Sequence, residues 1–550
     1  MPDASTEAAG TFERGLAVLH AVATHPEPRL RRGDLAKATG LPRSTVDRVT
    51  ATLLHLGYLR AEGPDLRLAL DAMRPGNAYL ASCGLVGPLA PLLTRLADEL
   101  DESVTLTAPD VDGARLIAQS TRRRAVYLAF HVGAVLPDDR TAAGVVLATT
   151  WDEERFEAWR HRRTADPLDA GFPAVPTLAG PLPDREAVFR ARVDAARARG
   201  WSLDDQWVEP GLLAVSAPVR DPDGRPVAAV NVLTHTSRHT AETFPDTALP
   251  RVRAAIADME AALRESRRAD PAPRRAVPPA DDLRSAKAEL GMSFLEGLAR
   301  GLAVLTAFRD VPDGHTIATA AEACGLARAT ARRALHVLCG AGYARTDGRR
   351  FALRPKVLDL GYARLAPLTL SDIAQPHLAD LAAEVGESAS MAVLDGDQVR
   401  YVARVATGRV MRVDITIGTR FPAVATSMGR VLLAGLPAVE RAELVRAADR
   451  RPLTARTLVD PAALEAAVAA VGRDGWAMVD EELHEGLRSL AVAVRDTSGA
   501  VVAAVNVALH VGRATPEETA RRLLPALRSA AARIEADLAV AFDQAPLVVH

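Results

Sequence analysis

The stretch TGLPRSTVDRVTATLLHLGYL, residues 39–59, decides the first part of the fold. Gly40 suits the left-handed C-cap of a short helix predicted over 31–40. Apolar residues then recur at spacings of three and four and predict a second helix with one apolar face: Val46, Val49, Leu53 and Leu56. The residues left for its polar face are Arg43, Thr45, Asp47, Arg48 and Thr52, and Ser44 or Thr45 is expected to cap the helix. Two helices joined by a glycine turn predict a helix-turn-helix, whose second helix enters the DNA major groove.

A short hairpin follows, GYLRAEGPDLRLAL at 57–70. Gly63-Pro64-Asp65 supplies turn chemistry between its two arms. A hairpin placed directly behind a helix-turn-helix is a wing, so the sequence predicts a winged helix-turn-helix.

A second copy of this unit lies in the other half of the chain. RGLAVL at 14–19 returns at 300–305, and Gly40-Leu41 returns 285 positions later as Gly325-Leu326. Further on the spacing falls to 275, because Gly200-Trp201 returns as Gly475-Trp476. Copy one therefore holds about ten extra residues between 145 and 200, and HRRTADPLDAGFPAVPTLAGPLP is the expected insert. The join, ESRRADPAPRRAVPPADDLR at 265–284, has the composition of a solvated linker.

The second copy is rich in arginine where DNA would be read, in GLARATARRALHVLCGAGY and in the wing around Asp347-Gly348. The planar guanidinium group can address guanine edges and phosphates. The residues predicted to contact DNA are Arg43, Ser44, Thr45, Asp47, Arg48, Arg328, Thr330, Arg332, Arg333, Arg345, Arg349 and Arg350. The alternative is a pair of solvated helix faces, but two copies that each carry the glycine turn and a wing favour DNA binding.

Composition excludes several classes of protein. The chain has 550 residues, enough for about three to five domains, and a formal net charge of −2, so DNA binding must depend on local basic patches. Three scattered cysteines and the absence of a signal peptide or an 18-residue apolar run predict a cytoplasmic protein without a membrane anchor. No nucleophile, phosphate-loop or metal-ligand motif is present, so we expect no enzyme, no cofactor and no metal. His484 beside Asp480 is interpreted as a surface histidine.

RGLAVL followed by TGLPRSTVDRVTATLLHLGYL resembles the N-terminal domain of IclR-family transcription regulators. In copy two, GTRFPAVATSMGRVLLAGL and VDEELHEGLRSLAVAVRDTSGAVVAAVNVALH look like the two sensor-domain motifs of that family, and this copy is similar to the subgroup that controls protocatechuate and β-ketoadipate catabolism. The resemblance covers nearly the whole chain, twice. It implies an α+β protein with two winged helix-turn-helix domains and two GAF-like effector-binding domains in tandem.

The expected boundaries follow from the repeat and the resemblance. They are winged helix-turn-helix 1 (9–72), connecting helices (73–102), effector domain 1 (103–264), linker (265–290), winged helix-turn-helix 2 (291–357), connecting helices (358–387) and effector domain 2 (388–545).

The resemblance also implies an effector pocket in copy two. It places near the ligand Val410, Val413, Ser427, Met428, Asp480, Ser489, Asn506 and Ala508. The N-terminus of the SMGRVLLAGL helix offers free backbone N–H groups and a positive dipole end, which suit the carboxylate of a small organic acid. For the serines, ordinary capping or strand polarity remains an alternative, and the acidic run 480–482 could be a solvated charge run.

Copy one departs from this pattern. Leu213 stands where copy two has Arg488, Ala214 where it has Ser489, and Ala142 and Ala143 occupy the start of the pocket helix. The first pocket is therefore expected to be more apolar or lost, with a different ligand or a mainly structural role.

Together these features predict a DNA-binding regulator that responds to an aromatic or dicarboxylic acid. Because one chain holds two DNA modules, we expect an intramolecular pseudo-dimer on an asymmetric double-stranded operator; a further homodimer of fused chains stays open. The alternative function is a ligand-sensing interaction protein that has lost operator binding.

Overall fold

The computed structural model describes residues 4–122, 130–266, 291, 294–407, 415–512 and 514–544. The chain forms two compact units, Met1–Pro367 and Leu368–His550. Val410, Val413 and linker residues 267–290 lie outside the described residues.

The first module has the helices and the hairpin that the sequence predicts. Its elements are α1 (Ala4–Thr24), α2 (Arg32–Thr39), α3 (Arg43–His55), β1 (Leu59–Glu62), β2 (Asp65–Leu68) and a 3-10 turn, Leu70–Met73. Gly40 ends α2 with a φ of 67°, as a left-handed C-cap requires. Val46, Val49 and Leu53 are fully buried, so the apolar face of α3 is confirmed.

Two details of α3 differ from the expectation. The helix begins at Arg43 with Pro42 as its N-cap and no side-chain cap, because Ser44 and Thr45 already lie in its first turn. Thr52 is fully buried and does not belong to the exposed polar face.

The second module repeats the first within the same unit. Its elements are α10 (Glu296–Thr306), α11 (Ile317–Cys324), α12 (Arg328–Gly340), β9 (Ala344–Thr346), β10 (Phe351–Leu353), a 3-10 segment (Pro355–Leu360) and α13 (Tyr362–Leu365). Gly325 and Gly348 take φ values of 62° and 94°, which the C-cap of α11 and the tight wing turn require.

Sensor one is an antiparallel six-stranded sheet between helices. Its elements, with the helices that lead into it, are α4 (Arg74–Ser82), α5 (Val86–Leu100), β3 (Ser103–Pro109), β4 (Ala114–Ser120), β5 (Val135–Leu136), α6 (Ala142–Leu147), a 3-10 turn (Ala148–Thr150), α7 (Glu153–Ala165), α8 (Arg185–Arg199), β6 (Ser202–Asp205), β7 (Leu212–Arg220), β8 (Pro226–His235) and α9 (Thr243–Ser266). The strand order is β5-β4-β3-β8-β7-β6. Helices α5 and α9 pack together on the sheet, and α6 packs on strands β7 and β8.

Sensor two has the same architecture in the second unit. Its elements are α14 (Leu370–Val385), β11 (Ser388–Asp395), β12 (Gln398–Val405), β13 (Arg420–Pro422), a 3-10 turn (Ala423–Ala425), α15 (Ser427–Ala434), α16 (Ala438–Ala447), α17 (Pro461–Asp474), β14 (Trp476–Asp480), β15 (Leu487–Arg495), β16 (Val501–His510) and α18 (Pro516–Ala541). The strand order β13-β12-β11-β16-β15-β14 matches that of sensor one. The expected α+β fold, with two winged helix-turn-helix domains and two sheet-based sensors, is confirmed.

No single helix among the described residues is long and apolar enough to span a membrane; one bent pair, Leu70–Ser82 with Val86–Leu100, meets the length and composition criteria jointly.

Candidate nucleic-acid interface and effector site

The recognition helix of module one presents a polar face to solvent. Arg43, Ser44, Asp47 and Arg48 are exposed, and Thr45 is half-buried. The Arg32 guanidinium of α2 lies 3.7 Å from the Asp47 carboxylate and partly compensates its negative charge. The structure therefore brings all five predicted residues of this copy to one helix end.

The recognition helix of module two, α12, is more basic. Arg328 and Arg332 are exposed, whereas Thr330 and Arg333 are half-buried. The opposite face packs into the module through Ala331, Leu335 and Leu338, which are fully buried. This helix carries three arginines and no acidic residue over its length.

The two wings differ in charge. In the second wing Arg345, Arg349 and Arg350 are exposed. The Asp347 carboxylate accepts the backbone N–H groups of Arg350 and Arg349, which lowers its pKa and fixes the turn.

The first wing holds an acidic residue among its arginines. Glu62 pairs with Arg29, Arg60 and Arg67 at 2.9–3.4 Å. The wing of module two therefore carries the stronger positive charge.

The two winged helix-turn-helix modules pack against each other through α1 and α10. A Cβ on Gly15 would lie 2.2 Å from Leu298 Cδ1, and a Cβ on Gly301 would lie 2.3 Å from Phe12 Cδ2. Each glycine thus admits an apolar side chain of the other module. Because both pairs occupy equivalent positions of the repeat, the contact has the self-complementary character of a two-fold interface.

Thr52 of α3 takes part in the same interface. Its hydroxyl donates to the Arg48 carbonyl at 3.0 Å and accepts the backbone N–H of Leu295 at 3.0 Å. The burial of this threonine comes from the second module, which a single helix pattern does not reveal.

Sensor one contacts module two through a buried arginine. Arg115 on β4 donates to Asp110 at 2.5 Å and to both carboxylate oxygens of Asp359 at 2.6 and 3.2 Å. The Arg115 and Asp110 side chains are each 1% exposed. The planar guanidinium group of Arg115 thus bonds to two carboxylates at once. These bonds link strand β4 of the sensor to the 3-10 segment that follows the second wing.

In sensor two, the structure brings four of the predicted effector residues onto one face of the sheet or beside it. The Ser427 and Ser489 hydroxyls lie 2.9 Å apart. Ser489 pairs in register with Ala508, and Asn506 lies two residues away on the same face, where α15 packs. Ser427 and Asn506 are buried, whereas Ser489 and Ala508 are partly exposed. This partly open group is the candidate effector site.

Met428 and Asp480 are placed elsewhere. Met428 is fully buried in the hydrophobic core between α15 and the sheet. Asp480 is in register with Arg488 and bonds to it at 2.6 Å on the other face of the sheet, where Arg488 also reaches Thr519 of α18. The structure does not bring Asp480 to the serine pair.

The helix beside the serine pair is held by a cap and by a buried ion pair. The Thr426 hydroxyl caps α15 by accepting the Gly429 N–H at 3.0 Å. Arg430, only 5% exposed, makes a double contact to Glu482 at 2.9 and 2.6 Å. These bonds hold the acidic loop against α15.

Sequence reasoning missed Arg115, Arg430 and their partners. A charged residue inside an apolar strand or helix, as in ARLIAQS and SMGRVLLA, is a signal of a buried ion pair that could have found both. The identity of each partner required the folded chain.

Comparison with known proteins identifies the family. The IclR helix-turn-helix domain matches residues 11–63 and 297–348, and the bacterial transcriptional regulator IclR C-terminal domain matches residues 77–261 and 363–536. These matches span more than half of the chain, so the protein belongs to the IclR family of transcriptional regulators, in a tandem double arrangement.

Several relatives match one copy's length of chain. The Pca regulon regulatory protein of Pseudomonas putida is 46% identical over 238 residues, which is 43% of this chain and 82% of that protein. The p-hydroxybenzoate hydroxylase transcriptional activator of Acinetobacter baylyi is 33% identical over 243 residues, 43% of this chain and 90% of that protein. The crystal structure of a transcriptional regulator from a Rhodococcus species is 48% identical and covers 44% of this chain and 98% of its own, with a TM-score of 0.42.

Proposed function

We propose that this regulator binds an asymmetric operator with both recognition helices of one chain. The observation that carries the proposal is the packing of α1 against α10, which joins the two modules while the polar faces of α3 and α12 stay exposed. Paired recognition helices read half-sites about one helical turn apart, and here both belong to one polypeptide.

The two half-sites should differ in sequence. Helix α3 presents Asp47 beside Arg43 and Arg48, whereas α12 presents Arg328 and Arg332. Arginine favours guanine edges, while a carboxylate is suited to accept from cytosine. We expect the half-site of module two to be the more guanine-rich and the more dependent on phosphate contacts.

Sensor two is proposed to bind a small aromatic or dicarboxylic acid. The N-terminus of α15 beside the Ser427–Ser489 pair offers N–H and hydroxyl donors to a carboxylate. Oδ1 of Asn506, which is buried, has no hydrogen-bond partner among the described residues and could accept from a ligand hydroxyl. Two of the relatives are named for the pca regulon and for p-hydroxybenzoate hydroxylase, which favours an aromatic acid.

Operator binding is tested by fluorescence anisotropy on duplex DNA flanking the protein's own gene and on a genomic DNA library. We expect Arg43→Ala/Arg48→Ala and Arg332→Ala/Arg333→Ala each to weaken specific binding at least about tenfold, as losing a base contact does. The exposed arginines Arg253 and Arg451 supply the control, since Arg253→Ala/Arg451→Ala leaves both recognition helices intact. Addition of protocatechuate or p-hydroxybenzoate should change the affinity of the wild type.

The outcomes distinguish between the possible functions of the two modules. A loss in only one double variant would leave one module reading DNA and the other serving as support. Failure of the wild type on both the flanking DNA and the library would contradict operator binding and favour the ligand-sensing interaction protein.

A further inference from the structure

The loop between α7 and α8, residues 166–184, marks the main difference between the two sensors. It has 19 residues, whereas the corresponding loop between α16 and α17, residues 448–460, has 13. It falls within the stretch where the repeat spacing changes, so it holds most of the extra residues of copy one.

A buried carboxylate anchors this loop. Asp169 is 0% exposed and has a φ of 58°, a conformation that an ordinary side chain rarely adopts. Its oxygens accept from Arg140 at 3.1 Å, from Arg163 at 2.5 Å and from Arg185 at 2.8 and 2.9 Å. Three guanidinium groups thus surround one carboxylate inside the sensor, which is the way a protein holds a bound acid.

Arg140 joins the loop 166–184 to the connection between strands β6 and β7. Besides Asp169, it donates to the carbonyls of Pro176, Trp207 and Val208 at 2.9–3.3 Å. The residue directly precedes Thr141, the cap of α6, and α6 is the counterpart of the effector helix α15. The carboxylate of Asp169 is therefore linked to Arg140, the residue that directly precedes the cap of α6.

Two apolar side chains of the same loop pack into a hydrophobic cluster of sensor one. Phe172 and Val175 are each 5% exposed and belong to one hydrophobic cluster with Leu136, Val208, Leu212, Ala214 and Leu233. Arg163 lies 4.6 Å over the Phe172 ring.

The residues beneath these side chains are the counterparts of the candidate effector site. Ala214 and Leu233 pair in register in sensor one as Ser489 and Ala508 do in sensor two, 275 positions later. In sensor one they are 5% and 6% exposed, whereas Ser489 and Ala508 remain partly open. The difference in exposure coincides with the presence of Phe172 and Val175.

We infer that the loop 166–184 is a built-in occupant of the first effector site, with Asp169 in place of a ligand carboxylate and Phe172 in place of its apolar ring. Sensor one then takes no diffusible acid, and each fused chain binds one effector molecule, in sensor two. This inference rests on the proposed effector site for the role of sensor two and for reading its counterpart in sensor one as an effector site. The position of the loop over Ala214 and Leu233 stands on its own contacts.

Stoichiometry is measured by calorimetric titration of the full chain with protocatechuate and with p-hydroxybenzoate. We expect one site per chain, lost in Ser427→Ala/Ser489→Ala and kept in the control Ser529→Ala, which alters an exposed serine on α18. Two sites per chain, or a single site that survives the double substitution, would overturn the inference.

Hydrogen exchange tests the loop without any acid. The N–H groups of Phe172, Val175 and Leu178 are bonded within the loop, so peptides covering 166–178 should exchange slowly in the wild type. Asp169→Asn should raise their exchange at least about tenfold, because an amide cannot satisfy three guanidinium groups, while Asp205→Asn on the same sensor should leave them unchanged.

The two measurements separate the two ideas. If neither acid binds, the proposed effector class fails, and the exchange of 166–178 alone decides the inference. Exchange of these wild-type peptides at the rate of an open chain, or a change in their exchange on adding either acid, would show that the loop does not occupy the site.

Discussion

Asp138, at the start of the turn that leads to Arg140, is a carboxyl group buried in sensor one. Burial raises its pKa to about 7, although Arg155 and Arg162 oppose the shift. A carboxyl whose pKa is higher in the folded than in the unfolded chain binds more protons when folded. The contribution of Asp138 to the free energy of unfolding therefore falls as the pH rises from about 4 to about 7 and changes no further above that range.

Asp138→Asn should remove this decrease in unfolding free energy at rising pH. We expect the difference in unfolding free energy between the variant and the wild type to grow by roughly 2–4 kcal/mol from pH 5 to pH 8, since each pKa unit corresponds to about 1.4 kcal/mol. Urea unfolding can be followed by tryptophan fluorescence, because Trp151, Trp159, Trp201 and Trp207 all lie in sensor one. The exposed Asp223 provides the control through Asp223→Asn. Equal pH dependence in wild type and Asp138→Asn would refute the raised pKa.

At the scale of elements, the contact between β4 and the 3-10 segment 355–360 depends on one buried charge. Arg115→Met would leave Asp110, whose side chain is 1% exposed, without its guanidinium partner. Breaking a buried pair in this way costs about 3–5 kcal/mol. We expect that loss in the unfolding free energy of the first unit, together with weaker operator binding, because module two loses this charged link to the sensor sheet.

The second copy supplies a matched control for Arg115. Arg400 occupies the corresponding strand position and pairs with Asp395 at 3.2 Å, but its side chain is 26% exposed. Arg400→Met should cost about 1 kcal/mol or less, as exposed pairs do. Similar losses in the two variants would argue against a special role for the contact with Asp359.

The elements themselves could be predicted well from the sequence. Gly40, Gly325 and Gly348 fix turns by local backbone preference, and the apolar spacing of α3 fixes its buried face, so no distant contact is needed. Features that depend on partners far along the chain could not be predicted. Thr52 is buried by Leu295, 243 positions away, and Arg115 meets Asp359, 244 positions away.

The candidate effector site was predicted in part. The family resemblance led to Ser427, Ser489, Asn506 and Ala508, which the structure places close to one another. Asp480 precedes Ser489 in the same motif and pairs with Arg488, so it lies on the opposite face, because alternate residues of a strand point to opposite sides. The insert in copy one was visible in the sequence; its position over Ala214 and Leu233 was not.

At the scale of the whole molecule, the net charge of −2 gives no general attraction to DNA, so we expect affinity to depend on the arginines of the wings and recognition helices. Each arginine that meets a phosphate contributes about 0.9 to the slope of log affinity against log salt concentration. Arg349→Ala in the exposed second wing should reduce that slope by about one and weaken specific and nonspecific binding alike. Arg451→Ala, on the surface of sensor two, should leave the slope unchanged. A change confined to specific DNA would mean that Arg349 reads a base.

The paired contacts of α1 and α10 have an evolutionary consequence. In a homodimer, one mutation alters both sides of the symmetry axis at once, so each change must suit two environments. In the fused chain the two sides are separate codons, and they already differ: Phe12 faces Gly301, while Leu298 faces Gly15. Duplication within one gene thus frees each half to specialise, and the halves already differ: module two has the more basic recognition helix, and the candidate site of sensor two is more open than its counterpart in sensor one.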